Sequence, residues 1–243
     1  MTTSTPTTPA AIVTGAGSGV GRDTAILLAE CGYHVLLVAR SADKLDAAAE
    51  LAREDAAEGV RVETMPADLL DPAAAPRVVE RARELFGRVD ALCNIAGGAP
   101  LLPIEKLTPA ITRDCLAINL EAPALLTAAC WPLFRQQKSG VVVNVSSMAS
   151  VDPFPGFAIY AAAKVGLNML TRCTASEGKR INVTAVAIAP GAIETPMLRQ
   201  NFNEKVIPAD KCLDPVTVAA LIRDCVTGTR DFTPGETILL PGP

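Results

Sequence analysis

Tyr160 and Lys164 stand four residues apart in Tyr160-Ala161-Ala162-Ala163-Lys164, and Ser147 precedes the tyrosine by thirteen positions. On a helix, residues i and i+4 share a face. A lysine charge placed there favours the phenolate and draws the tyrosine pKa down from about 10 toward working pH. A phenol tuned in this way exchanges a proton with a carbonyl or alcohol oxygen while hydride moves at the adjacent carbon. The spacing alone also fits an amphipathic helix whose tyrosine packs and whose lysine meets water. A nucleotide-binding pattern at the other end of the chain tips the balance toward chemistry.

That pattern is Thr14-Gly15-Ala16-Gly17-Ser18-Gly19-Val20-Gly21, which follows the apolar run Ala10-Ala11-Ile12-Val13 and opens an apolar-periodic stretch from Val20 to Cys31. Strand, glycine turn and helix in that order are the context of a dinucleotide site. Glycines let the backbone turn tightly and approach a pyrophosphate, and the helix N-terminus offers unpaired N–H groups with a partial positive charge. The spacing is Gly-x-x-x-Gly-x-Gly over Gly15, Gly19 and Gly21, and no Gly-Lys-Ser/Thr closes the turn, which excludes a P-loop.

The elements that must position these groups alternate along the chain. Strands are expected at 10–14, 34–39, 61–66, 89–93, 141–146, 184–189 and 237–240, and helices at 20–31, 43–58, 72–86, 108–134, 159–176 and 214–226. The strands are apolar runs without clean alternation, as when helices cover both faces of a sheet. The expectation is a single α/β domain over 10–243, a doubly wound Rossmann-type parallel sheet of about seven strands, with ligands at the strands' carboxyl ends. Residues 1–9 are Thr/Pro-rich without a basic side chain and read as a disordered lead-in, not a signal peptide.

Composition agrees. Of 243 residues 49% are hydrophobic and only 4% aromatic, the profile of helix faces packed with Ala, Leu and Val. A net charge of −4 without a Lys/Arg cluster argues against a nucleic-acid partner. No apolar stretch reads as long and uninterrupted enough to span a bilayer. Seven cysteines are widely spread with no Cys-x-x-Cys, and the single His34 falls inside the second expected strand. They read as buried, reduced thiols of a cytoplasmic protein, with neither metal nor disulfide.

With these residues in view, the chain resembles the short-chain dehydrogenase/reductase family in its single-domain form, from Ala10 to Leu240. Further segments fall in the family's order: Ala67-Asp68-Leu69, Asn94-Ile95-Ala96-Gly97, Ala117-Ile118-Asn119-Leu120, Val143-Asn144-Val145-Ser146-Ser147, and Pro190-Gly191-Ala192-Ile193-Glu194-Thr195-Pro196-Met197. The resemblance implies an oxidoreductase moving hydride between a nicotinamide cofactor and a small-molecule ketone or secondary alcohol. It makes Tyr160 the general acid or base, with Lys164 lowering its pKa and bonding the nicotinamide ribose. Ser147 donates to the substrate oxygen, and Asn119 holds a water that links Lys164 to solvent. Ser146 competes for the serine role; the family spacing favours Ser147, and Ser146 is expected to face the other side of the sheet. Cofactor contacts are implied at Gly15, Ser18, Gly19, Val20, Gly21, Asp68 (to adenine), Leu69, Asn94, Ala96, Gly97, Pro190, Gly191, Ile193 and Thr195, besides Tyr160 and Lys164.

Cofactor choice is readable at the second strand's end, Leu37-Val38-Ala39-Arg40-Ser41. An NAD enzyme places an acid there for the ribose 2′-hydroxyl; here the position is Ala39, and the Arg40 guanidinium can pair with a 2′-phosphate. NADP(H) is therefore expected over NAD(H). The stretches Val151 to Phe157 and Met197 to Leu213 are expected to line the substrate pocket, within a substrate loop over 191–213. Phe154, Phe157, Met197, Leu198 and Phe202 favour a lipophilic ketone or alcohol. A carrier-bound 3-oxoacyl thioester finds no obvious basic dock. The C-terminal Leu239-Leu240-Pro241-Gly242-Pro243 departs from the family's usual ending. By resemblance, a homodimer or homotetramer forms through the helices at 108–134 and 159–176. The alternative is a catalytically silent NAD(P)-binding sensor or assembly protein on the same fold.

Overall fold

The computed structural model describes residues 8–152 and 154–243. Most of the expected lead-in, and Pro153 of the expected pocket wall, lie outside the described residues. The chain alternates β1 (Ala10–Thr14), α1 (Gly19–Glu30), β2 (His34–Ala39), α2 (Ala42–Glu54), β3 (Val62–Pro66), α3 (Ala74–Phe86) and β4 (Ala91–Asn94). It continues through α4 (Pro109–Leu116), a π turn (Ala117–Glu121), α5 (Ala122–Gln137), β5 (Gly140–Val145), α6 (Ala158–Gly178) and β6 (Val183–Pro190). Last come α7 (Pro196–Asn201), α8 (Pro215–Thr227) and β7 (Thr237–Leu240). All seven strands pair in parallel in the order β3-β2-β1-β4-β5-β6-β7.

Alternate strand residues feed two cores. Ala11 and Val13 of β1 join α1, α2 and α8 on one face, while Ile12 joins α3 and α5 on the other. Burial on both faces explains why the strands read as continuous apolar runs. The order reverses between β1 and β4, and this is where an open parallel sheet leaves a crevice beyond its carboxyl ends.

Five expectations change. The helix expected at 43–58 stops at Glu54, and beyond it the chain turns so that Ala56 packs on the core and Ala57 N donates to Ala29 O at 3.1 Å. The helix expected at 108–134 contains the π turn, and α7 appears where no helix was expected, its N1 Pro196 preceded by the capping Thr195. Contrary to the sequence expectation, the continuous helix Pro109–Gln137 holds an 18-residue stretch of mean hydropathy 1.3, 33% of it buried, which by length and composition alone is in the range of a bilayer span. It packs on α3, β4, β5 and α6, as a core helix does. The thiols are also less uniform than expected. Cys93, Cys115, Cys130 and Cys225 are buried, but Cys31 and Cys173 are exposed.

Candidate active site

The glycine turn sits directly over the reversal point. Thr14 ends β1, and its Oγ1 accepts from Ile95 N (2.9 Å) and Ala96 N (3.1 Å) while donating to the Cys93 carbonyl (3.2 Å). One hydroxyl thus ties the ends of β1 and β4 together; its place at the head of the glycine motif was the signal for it. Gly15 (φ +70°) lies so close to β4 that a Cβ would stand 2.9 Å from Ala96 N. Gly19 (φ +52°) faces the Thr195 methyl at 3.1 Å from the same construction. Ser18 is the N-cap of α1 with extended backbone and no side-chain cap bond, and the first turn of α1 carries no acid. Its leading N–H groups are therefore oriented to receive an anion.

Arg40 follows β2, is exposed, and makes no hydrogen bond or ion pair among the described residues. Lys44, on the first turn of α2, brings its Cβ to 3.2 Å of where a Gly17 side chain would begin. Asp68 is exposed and accepts from Leu70 N at 3.0 Å, with Leu69 buried behind it. Asn94 differs from its expected place at the cofactor. Its Nδ2 donates to Asn144 Oδ1 (2.8 Å), whose own amide donates to Thr171 Oγ1 (2.8 Å). This side chain joins β4, β5 and α6 inside the core, while the backbone beyond it, at Ala96 and Gly97, lines the crevice.

The expected catalytic residues come together at the carboxyl ends of β4, β5 and β6. The π turn carries Asn119, fully buried, its Nδ2 donating to Gly98 O (2.7 Å) and Cys115 O (2.9 Å). Gly97 leaves the space that this needs, because its Cβ would stand 2.8 Å from Asn119 Oδ1 and 3.7 Å from Lys164 Nζ. Lys164 is 4% exposed and donates to the Val145 carbonyl at 2.8 Å. Tyr160, on the first turn of α6, is half-buried with its ring centroid 5.6 Å from Lys164 Nζ. The Ser147 hydroxyl lies near the Tyr160 phenol and favours its ionised form. Its Oγ accepts from Ala149 N at 3.1 Å, so the one serine proton is turned toward the phenol side, where a substrate oxygen can take it. Ser146 points the other way, 2% exposed with Oγ at 3.4 Å from Lys164 O.

Burial reverses one electrostatic expectation. The Tyr160 pKa is raised, first by burial and also by the neighbouring Cys115, while the Ser147 hydroxyl pulls it down. Burial also brings the Lys164 amine down, from 10.5 to about 8. Cys115 is a member of this cluster that the sequence reading missed. It sits one helical turn before Asn119, its thiol pushed up by burial and eased back by Asn119 and Lys164.

The lysine makes a pH prediction. Between about 8 and 10.5 the unfolded chain holds a proton that the native state has released, so stability rises with pH across that window. The gap corresponds to roughly 3 kcal/mol at most. Denaturant unfolding from pH 7 to 10.5 should show wild type gaining on Lys164→Met by up to that amount. A difference that stays constant with pH would show that the native lysine keeps an ordinary proton affinity.

Aromatic rings close the side of the site facing Tyr160. Phe157 meets Tyr160 at 5.3 Å and Phe154 at 5.6 Å with tilted rings, and Phe202 meets both phenylalanines edge-on at 5.7 and 6.1 Å. Met197 is 39% exposed at the rim. Leu102 N donates to Gly156 O (3.0 Å) and Asn201 Nδ2 to Ala99 O (2.8 Å), lacing three loops across the mouth. Arg199 pairs with Glu194 and donates to Ile207 O at 2.7 Å, folding the segment after α7 back on itself. Neither Arg199 nor Asn201 was picked out in sequence, since both lie in a stretch without periodic pattern. Pro190 ends β6, Ile193 bridges to Leu213, and Gly191 packs against the backbone of Gly242. The unusual C-terminal segment is thus a wall of this site. An open cavity of about 570 Å³ bordered by Arg172, Lys179 and Asn182 lies instead at the amino end of β6 and includes none of these groups.

Comparison with known proteins gives a consistent picture. The family model described as short chain dehydrogenase matches residues 9–206. Levodione reductase of Leifsonia aquatica is 37% identical over 83% of this chain and 77% of its own length. A subunit of (2S)-[(R)-hydroxy(phenyl)methyl]succinyl-CoA dehydrogenase of Thauera aromatica is 31% identical over 96% of this chain and 94% of its own. Among solved structures, levodione reductase superposes with a TM-score of 0.88 at 30% identity, covering 95% of each chain. A metagenomic short-chain oxidoreductase in complex with NADP gives 0.81 at 28% identity, covering 96% of each.

Proposed function

Because this chain belongs to the short-chain dehydrogenase family, and is an NAD(P)-dependent oxidoreductase of carbonyl or alcohol groups, we propose that it reduces a lipophilic ketone with NADPH. The observation that carries the reading is the grouping of Ser147, Tyr160 and Lys164 at the carboxyl ends of the strands, across the crevice from the glycine turn. The turn fits a dinucleotide, since Gly15 lets it lie close against β4, Gly19 keeps the space toward Thr195 clear, and the N-terminal amides of α1 carry no side-chain cap.

When bound, the cofactor supplies the hydride. In our reading Ser147 donates its proton to the substrate oxygen and orients it toward Tyr160, which transfers a proton to that oxygen. Lys164 spends one of its three donors on Val145 O, leaving two for the nicotinamide ribose and for a water held at Asn119. Burial keeps the Tyr160 phenol protonated at neutral pH, the state that reduction needs. The aromatic wall of Phe154, Phe157 and Phe202 favours an apolar body beside the reacting carbonyl.

For cofactor choice, Arg40 and Lys44 put positive charge where a ribose 2′-phosphate would fall, and Ala39 offers no carboxylate to repel it. That a relative was crystallised with NADP is consistent. Binding of NADPH and NADH, followed by quenching of protein fluorescence, tests this. Wild type should favour NADPH, and Arg40→Asp should weaken NADPH binding about 10–100-fold while leaving NADH within a few-fold. Equal affinities in wild type, unmoved by the substitution, would refute the preference. Val165 and Met169, both 52% exposed on α6, support a homodimer or homotetramer built on α5 and α6. Exposed free Cys31 and Cys173 support a cytoplasmic location.

A further inference from the structure

Asn168 lies on α6, one turn past Lys164 and two past Tyr160. Its Nδ2 donates to Ser150 Oγ at 2.9 Å, and Ser150 Oγ donates to the Ser147 carbonyl at 2.7 Å. The direction of this chain is forced by the donor inventory. A backbone carbonyl only accepts, and a serine hydroxyl has one proton, so Ser150 gives that proton to Ser147 and must accept from Asn168. The amide therefore turns its NH2 toward Ser150, and its Oδ1 is left buried without a partner.

Two facts argue against a purely structural role. The turn Met148–Ser150 is already closed by Ser150 N, which donates to the same Ser147 carbonyl at 2.9 Å, so local folding does not need the hydroxyl. An unpaired buried acceptor also costs stability, which a leucine of similar volume would spare. What the chain of bonds adds is a tether between two elements. It fixes the segment carrying Ser147 against the helix that carries Tyr160.

We propose that Asn168 and Ser150 are positioning residues, acting through Ser147 to hold its hydroxyl in register with the Tyr160 phenol. The proposal rests on the role assigned above to Ser147. Without the tether, the serine segment shifts relative to α6, and small misplacements of a reacting group cost rate more than binding.

The test compares wild type with Asn168→Leu, Ser150→Ala, the double variant, Ser150→Thr and Ser147→Ala. Each is assayed with NADPH and a panel of cyclic and aryl ketones, alongside NADPH affinity and thermal midpoint. Asn168→Leu and Ser150→Ala should each lower kcat about tenfold, with KM and NADPH affinity within twofold. The double variant should be no worse than either single, since both break one chain of bonds. Ser150→Thr, which keeps the hydroxyl, should retain most of the rate. Asn168→Leu should melt no lower than wild type. Wild-type rates in Asn168→Leu beside an inactive Ser147→Ala would overturn the tether alone. A lowered melting point with KM and affinity lost in parallel would overturn it in favour of ordinary packing. An active Ser147→Ala, or a wild type that turns over no ketone, would overturn the reading of Ser147 and the tether with it.

Discussion

Tyr160→Phe should lower kcat by about a thousandfold, the scale of a lost general acid, while NADPH affinity stays within twofold. The substitution removes one oxygen and keeps the ring that packs 5.3 Å from Phe157. No nearby group can replace the phenol. Ser147 has a proton to share but cannot release it at neutral pH, and Lys164 is turned to the Val145 carbonyl. Cys115 is buried, held as a thiol, and sits behind Asn119. The readout is steady-state NADPH oxidation with the best ketone of the panel, alongside direct cofactor titration. Retention of more than a tenth of the rate would mean that another donor, or solvent, protonates the product oxygen.

Gly21→Ala should abolish measurable cofactor binding and destabilise the protein. An alanine Cβ at that position would stand 2.3 Å from Gly15 O and 2.6 Å from Gly15 C. Both are backbone atoms of the phosphate turn, so no flexible side chain can yield, and α1 must move off the turn. Overpacking of this kind costs about 1–3 kcal/mol, and the displaced amides lose their aim at the pyrophosphate. Gly32→Ala is the control. It replaces a glycine whose φ, unlike that of Gly21, is positive (+85°), yet among the described residues nothing lies within 4 Å of its Cβ. It should lose about 1 kcal/mol through backbone strain and bind NADPH normally. Comparable cofactor affinity in the two variants would show that the turn tolerates the displacement.

Much of this site was legible because its chemistry is local in sequence. Gly15 to Gly21 and Ser147 each sit just beyond a strand's carboxyl end, and the Tyr160–Lys164 pair lies at the start of the helix that follows β5; the sheet rule then brings them together. The strand side of Ser146 and Ser147 was also legible from two-residue alternation. Other features were hidden for physical reasons. The π turn at Ala117–Glu121 lies inside an unbroken apolar helical pattern, and one extra residue per turn leaves no compositional mark. The six residues of α7 are too few to show a helical period. Asn94 could not be assigned a face, because β4 is buried on both sides and has no alternation to read. The direction of the Tyr160 shift was missed because the helix spacing shows the neighbouring lysine but not the burial of the phenol, which is the largest cause.

The reversal of strand order between β1 and β4 also matters while the chain is being made. β1 has its first neighbour once the ribosome has passed Ala39, but the strand that covers its other edge ends only at Asn94. At about 5–20 residues per second, the nascent polypeptide carries that open apolar edge for several seconds. An unpaired edge is a template for pairing with another chain. The same reversal that leaves a crevice beyond the strand ends of the finished sheet therefore leaves, during synthesis, one edge of β1 waiting for a partner encoded far downstream.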